Sequence, residues 1–298
     1  MKLTGKALTV GGYRHGVPRH GRGTPMSRLT DMGENRGLLT LARATGWYLR
    51  LVGVVEVRAV AAGPGTWEVP CLGSRKARTL LALLGARAGR VVTVDSVVDA
   101  VWNGAPPRQP EANVATLVSR LRATFGPEII AGGRDGYRLG DGVRVDLHDA
   151  AALVAMAESC LNRGQPSRAL SAAERAIRLL DRGQVLAAHP AADWAEQARA
   201  TQEALLRRAW YTAAESALGA GVPVHAHVLA ESAIAADPLD EAAYRVLMRA
   251  FVAMGEPARA MVAYQELRTT LAAELGTDPA AGTRDLYVTI LRANAATG

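Results

Sequence analysis

From residue 110 to residue 125 apolar side chains recur at helical spacing. At about 100° per residue Val114, Leu117, Val118, Leu121 and Phe125 fall on one stripe, while Ala112, Asn113, Thr116, Ser119 and Arg120 fall opposite it. The spacing predicts a helix started by Pro110, where a missing N–H costs nothing. Glu128-Ile129-Ile130-Ala131 and Tyr137-Arg138-Leu139 read as two short strands, joined by Gly132, Gly133 and Gly136, which supply positive φ cheaply. Arg134 then stands at the tip of a hairpin, and Tyr137 packs the hairpin onto the core.

Upstream, Leu49-Arg50-Leu51-Val52-Gly53-Val54-Val55-Glu56-Val57-Arg58, a turn at Gly63-Pro64-Gly65 and then Thr66-Trp67-Glu68-Val69 predict short strands of a small antiparallel sheet. Ser74 caps a helix burying Leu80, Leu81, Leu83 and Leu84 and ending near residues 85–89; Thr93 or Asp95 opens a second, with Val97, Val98, Val101 and Trp102 on its apolar face. The loop Asn103-Gly104-Ala105-Pro106-Pro107 breaks that helix before the third begins. Sheet, three helices and hairpin are the order of a winged helix-turn-helix with an N-terminal sheet, here over residues 47–146.

From residue 147 to 298 the chain is Ala-rich and repeats G-x-P-x-x-A at Gly164-Gln165-Pro166-Ser167-Arg168-Ala169, Gly221-Val222-Pro223-Val224-His225-Ala226 and Gly255-Glu256-Pro257-Ala258-Arg259-Ala260. The last two copies lie 34 residues apart, the tetratricopeptide period. The Gly ends one helix, the Pro starts the next and the Ala lets the pair pack closely. Asp237-Pro238 and Asp278-Pro279 mark further boundaries. The fold class is therefore mainly α with a small β component: a winged helix followed by a helical-repeat array.

Charge adds a direction. Residues 1–46 carry eight Lys/Arg against two Asp/Glu, residues 47–146 thirteen against nine, and residues 147–298 fourteen against seventeen, so the net +7 lies wholly in the first half. That asymmetry suits a half that faces nucleic acid and a half that faces protein, although the preference for Arg over Lys fits a GC-rich genome equally well. Residues 1–46, rich in Gly, Arg, His and Pro, read as a disordered basic arm that adds nonspecific phosphate contacts, with one short helix over 38–44; a tail with no role, or an over-extended start with Met26 or Met32 as the true one, stays open beside it. No apolar run is long enough to span a membrane and no cleavable leader is evident, so the expectation is a cytoplasmic protein working at the nucleoid. Cys71 and Cys160 have no redox or metal spacing and read as reduced small hydrophobes, and His225-x-His227 lacks companion ligands. No metal, cofactor or catalytic group is expected.

A helix with a small, hydrogen-bonding face followed by a basic hairpin is a DNA reader's layout. Asn113, Thr116, Ser119 and Arg120 are placed at base edges in the major groove, Arg134 in the adjacent minor groove, and Arg75, Lys76, Arg122 and Arg138 on phosphates. Taken alone, the helix segment reads better as an ordinary amphipathic surface helix, and the hairpin that follows it shifts the reading.

These residues together resemble the Streptomyces antibiotic regulatory protein family of transcriptional activators, over residues 48 to 293. The carriers are Leu51-Val52-Gly53-Val54-Val55-Glu56-Val57, Leu72-Gly73-Ser74-Arg75-Lys76-Ala77-Arg78-Thr79-Leu80-Leu81-Ala82-Leu83-Leu84, Asp99-Ala100-Val101-Trp102, Val118-Ser119-Arg120-Leu121-Arg122 and Gly136-Tyr137-Arg138-Leu139. In the repeats, Asp237-Pro238-Leu239-Asp240-Glu241 and Ala263-Tyr264-Gln265-Glu266-Leu267-Arg268 are similar to the family's bacterial transcriptional activator domain. The resemblance implies an OmpR-like winged helix on direct repeats in promoters of secondary-metabolite genes, self-association on those tandem sites, and contacts to RNA polymerase through its sigma factor and alpha subunit. None of the three lysines lies in a G-x-x-x-x-G-K-[ST] loop, so an ATP-independent small member is expected. Two other classes stay in view: a protein-interaction adaptor built on the repeats, and a ligand sensor using the region of Trp194 to Trp210. No nucleophile with base and orienting group can be assembled, which leaves an enzyme last.

Overall fold

The branched run at 49–58 folds as a hairpin rather than one strand in the computed structural model, which describes residues 44–61, 72–87 and 89–297. Strand β1 (Ala44–Arg50) runs antiparallel to β2 (Glu56–Ala61), with Leu49 opposite Val57 and the chain turning through Gly53 at φ 75°. The strand starts earlier than the apolar pattern suggests, because Trp47 is buried edge-on against Phe125 at 5.1 Å while Gly46 lies where a Cβ would meet the Gly142 carbonyl. The strand expected at 66–69, Cys71 and the arm up to residue 43, including most of its proposed helix, lie outside the described residues.

Helix α1 (Arg75–Ala86) is capped by Ser74, whose Oγ accepts from Ala77 N at 3.3 Å, and Leu80, Leu81, Leu83 and Leu84 are buried as their spacing requires. Thr93 caps α2 (Val94–Trp102), which ends at Asn103 in the left-handed region. Val97 and Val98 are buried but Val101 and Trp102 only partly, so the apolar face of α2 is narrower than its sequence suggests. Helix α3 (Pro110–Phe125) begins with its proline and buries Val114, Leu117, Val118, Leu121 and Phe125. A 3₁₀ turn at Pro127–Ile129 takes up part of the expected first wing strand, so the hairpin is β3 (Ile130–Gly133) and β4 (Gly136–Leu139).

Strand β5 (Val143–Val145) pairs parallel with β1, Trp47 facing Val143 and Leu49 facing Val145, in the order β2-β1-β5. The sheet is therefore mixed, not purely antiparallel. Three residues are too few to show a period, and the pairing joins positions nearly a hundred residues apart.

Helices α4 (Asp146–Asn162), α5 (Pro166–Leu180), α6 (Asp193–Gly219), α7 (Pro223–Ala236), α8 (Glu241–Ala253), α9 (Pro257–Leu275) and α10 (Ala281–Thr297) pack successively as repeats. Each G-x-P-x-x-A copy does the expected work. Gly164, Gly221 and Gly255 take φ of 68°, 76° and 79°, Pro166, Pro223 and Pro257 open α5, α7 and α9, and Ala169, Ala226 and Ala260 are fully buried. Leu229, Val246, Met248, Phe251 and Leu267 fill the core around Ala226 and Ala260.

Strand β5 runs directly into α4 at Asp146, and this carboxylate ties the two halves together. Its oxygens accept from Leu51 N at 3.0 Å, Val52 N at 2.9 Å and Leu147 N at 2.8 Å. Burial raises its pKa above the usual carboxylate range, while the three N–H donors and Arg50 pull the other way. Beside it, Gly53 N donates to Gln184 O (3.1 Å) and Leu186 N to Leu51 O (2.9 Å), so the turn after β1 pairs with the loop before α6. Buried Gln202 holds that loop, accepting from Val185 N at 2.7 Å and donating to the carbonyls of Leu180 and Gly183.

Candidate nucleic-acid interface

The exposed face of α3 carries Asn113, Thr116, Ser119 and Arg120, opposite the buried stripe. Asn113 Nδ2 donates to Gln109 O at 2.7 Å and Thr116 Oγ1 to Ala112 O at 2.8 Å, which leaves the Asn113 carbonyl and the Thr116 oxygen lone pairs as outward acceptors. The Ser119 hydroxyl and the Arg120 guanidinium make no hydrogen bond among the described residues. Together these groups offer donors and acceptors at one-turn spacing on a helix whose other side is anchored.

The wing is held from two sides. Val92 and Tyr137 exchange backbone hydrogen bonds of 2.8 and 2.9 Å, adding a third extended segment to the hairpin, and the Tyr137 ring is buried as expected. Gly132 and Gly136 have φ of 107° and 142°, whereas Gly133 does not use a positive φ. From α3, Arg122 donates through Nε and Nη2 to Ile130 O at 3.1 and 2.9 Å and through Nη2 to Gly132 O at 3.0 Å. This half-buried side chain, assigned from sequence to a phosphate, spends those donors on fixing the wing to the helix. Arg122→Ala should remove charge-assisted bonds worth about 1.5–3 kcal/mol and speed amide exchange in β3 and β4 relative to α4–α10. Arg122→Lys, lacking the planar fork, should not restore the slow exchange.

The other assigned cations divide. Arg134 is exposed at the wing tip and makes no ion pair among the described residues. Arg138 is bound to Asp141 at 2.5 Å, and that hydrogen bond and charge hold the Asp141 carboxyl below its usual range. Arg75 and Lys76, at the start of α1, line a cleft with α2 and the segment from His189 to Trp194; Lys76 Nζ sits 4.9 Å from the Trp102 ring centroid. The structure therefore brings Asn113, Thr116, Ser119 and Arg120 onto one face, but puts Arg75 and Lys76 against the repeats. Sequence reading missed Asp146, Gln202 and Arg199. Arg199, buried, donates to His189 O at 2.7 Å and Pro190 O at 3.0 Å, and a polar residue within the Ala-rich run of α6 was the available signal.

Of the histidine pair, His225 meets Glu174 at 2.9 Å and the His227 ring lies against Phe251, so the two serve different neighbours. Among the described residues no group of His, Cys, Asp or Glu is arranged to hold a metal, and no helix is long and apolar enough to cross a membrane.

A winged helix whose third helix turns a polar face outward, joined to helical repeats, has the layout of a transcriptional regulator. Residues 70–139 match the family described as "Transcriptional regulatory protein, C terminal", and residues 145–291 match "Bacterial transcriptional activator domain". The regulatory protein AfsR of Streptomyces coelicolor is 35% identical over 234 residues, covering 77% of this chain but 23% of its own length. The transcriptional regulatory protein MoaR1 of Mycobacterium tuberculosis is 32% identical over 74% of this chain and 73% of its own. The solved structure of Mycobacterium tuberculosis EmbR in complex with a low-affinity phosphopeptide superposes with a TM-score of 0.69 at 25% identity, covering 83% of this chain and 65% of that one. The chain belongs to the Streptomyces antibiotic regulatory protein family of transcriptional activators. It spans about a quarter of the length of the AfsR proteins it matches.

Proposed function

We propose that the chain binds promoter DNA with α3 in the major groove and the wing tip in the adjacent minor groove, and activates transcription of secondary-metabolite genes by recruiting RNA polymerase through the repeats. The observation that carries this reading is the outward face of α3, where Ser119 and Arg120 make no side-chain hydrogen bond among the described residues and stand beside Asn113 and Thr116, with the wing fastened to the same helix by Arg122. Arg120 suits a guanine or a phosphate, and Arg134 suits the electronegative minor groove. With Arg122 and Arg138 bonded internally, the exposed Arg108 just before α3 takes a larger share of backbone contacts. Copies bound in tandem on direct repeats would set their repeat domains side by side, the acidic half toward the sigma factor and alpha subunit.

Gel shifts and footprinting over the promoters beside the gene test this reading. Arg120→Ala should cost about 1–3 kcal/mol and relax preference at one base pair if the side chain reads a base. Arg134→Ala should weaken binding most on sites with a narrow, A·T-rich minor groove beside the major-groove contact, and reduce the salt slope by about one. Two variants binding like the wild type, or protection without a repeated motif, would refute the interface.

A further inference from the structure

A crevice runs along the junction of the two halves in two parts that share Arg75 and His189. One part, of 850 Å³, lies between α1, α2 and the start of α6; the other, of 710 Å³, lies between the turn after β1, α1 and the loop before α6. Both volumes fall in the range of small-molecule sites, which favour domain interfaces.

Its lining is chemically distinctive. Arg75, Lys76, Arg78, Arg87 and Arg182 reach it, and none is ion-paired among the described residues; the carboxylates are Asp99 and Asp193. Five cations against two acids leave an excess positive charge on concave walls, where fields are focused. Aromatic surface lies at one end: the Trp194 ring is tilted against His189 at 5.2 Å, and Trp102 lies beneath Lys76. Burial and the charge of Arg75 lower the His189 pKa, which favours the neutral ring. Three arginines beside half-buried Val55 and the exposed side chains of Val54 and Ala188 ask for several negative charges, and the aromatic end asks for a planar ring.

We infer that this crevice binds a nucleotide-type ligand, with its phosphates on Arg75, Arg78 and Arg182 and its base against Trp194. The inference is independent of DNA reading, since these residues line the junction rather than the exposed face of α3. A ligand held by α1 and by the loop before α6 would also bind the two halves to each other.

Isothermal titration and tryptophan fluorescence of the full chain with ATP, GTP, adenosine and tripolyphosphate test it. ATP or GTP should quench emission and raise the melting temperature, while adenosine and tripolyphosphate bind more weakly. Arg75→Ala and Trp194→Leu should each weaken nucleotide binding about tenfold or more, and Arg168→Ala, exposed on α5, should not. Arg182→Ala, at an exposed position, repeats the test if Arg75→Ala fails to fold. Absence of nucleotide binding at millimolar concentration, folded variants that bind like the wild type, or tripolyphosphate binding as tightly as a nucleoside triphosphate would overturn the inference.

Discussion

Asp146→Ala will lower the unfolding free energy by about 3 kcal/mol or more, because it strands three buried backbone N–H donors at about 1–3 kcal/mol apiece. Two of those donors, on Leu51 and Val52, belong to the turn of the sheet, and the third, on Leu147, opens α4. The loss will therefore fall on the junction. Urea unfolding followed by far-ultraviolet circular dichroism should show a lower midpoint, and limited proteolysis should cut first between β5 and α4. Asp146→Asn keeps one acceptor oxygen and turns an amide toward the remaining donors, so its cost should be smaller, about 1–2 kcal/mol. If Asp146→Ala unfolded at the wild-type midpoint, the carboxylate would not be the tie described here.

Gly136→Ala will cost about 2–4 kcal/mol and detach the wing. The residue sits at φ 142°, where an L side chain is strained, and an added Cβ would lie 2.4 Å from the Val92 carbonyl, which bonds the next residue's N–H. Relief requires the Val92 segment to part from β4, removing the support that holds Tyr137 in the core. DNA affinity should then fall while amide protection in α7–α10 persists. Gly133→Ala, in the same hairpin but with open space around its Cβ and no positive φ, is the matched control and should cost little. Equal losses from the two variants would place the effect in the flexibility of the hairpin rather than in its packing against Val92.

What could be read from the sequence was mostly local. The stripe on α3, the caps at Ser74 and Thr93 and the three Gly–Pro helix junctions each reflect physics that acts within a few residues. The rest depends on distant partners. Strand β5 exists because Trp47 and Leu49 offer it an edge, and Asp146 is legible only as a helix-opening acid until Leu51 and Val52 are placed above it. The nine assigned cationic and polar residues show the same division. Asn113, Thr116, Ser119 and Arg120 follow from periodicity, whereas Arg122, Arg138, Arg75 and Lys76 have partners or surroundings set by the wing, by Asp141 and by the loop before α6. An arginine's sequence position gives its charge but not how that charge is used.

The unbroken passage from β5 into α4 makes the protein a rotational ruler. One residue inserted between Val145 and Asp146 would have to part Asp146 from Leu51 and Val52, so the repeats cannot change their angle to the winged helix without breaking those bonds. On a promoter the same rigidity would fix the azimuth at which the repeats project from the duplex. If the repeats recruit polymerase as proposed, moving the binding site by about five base pairs, half a helical turn, would point them away from it, while a shift of a whole turn would bring them back to the same side.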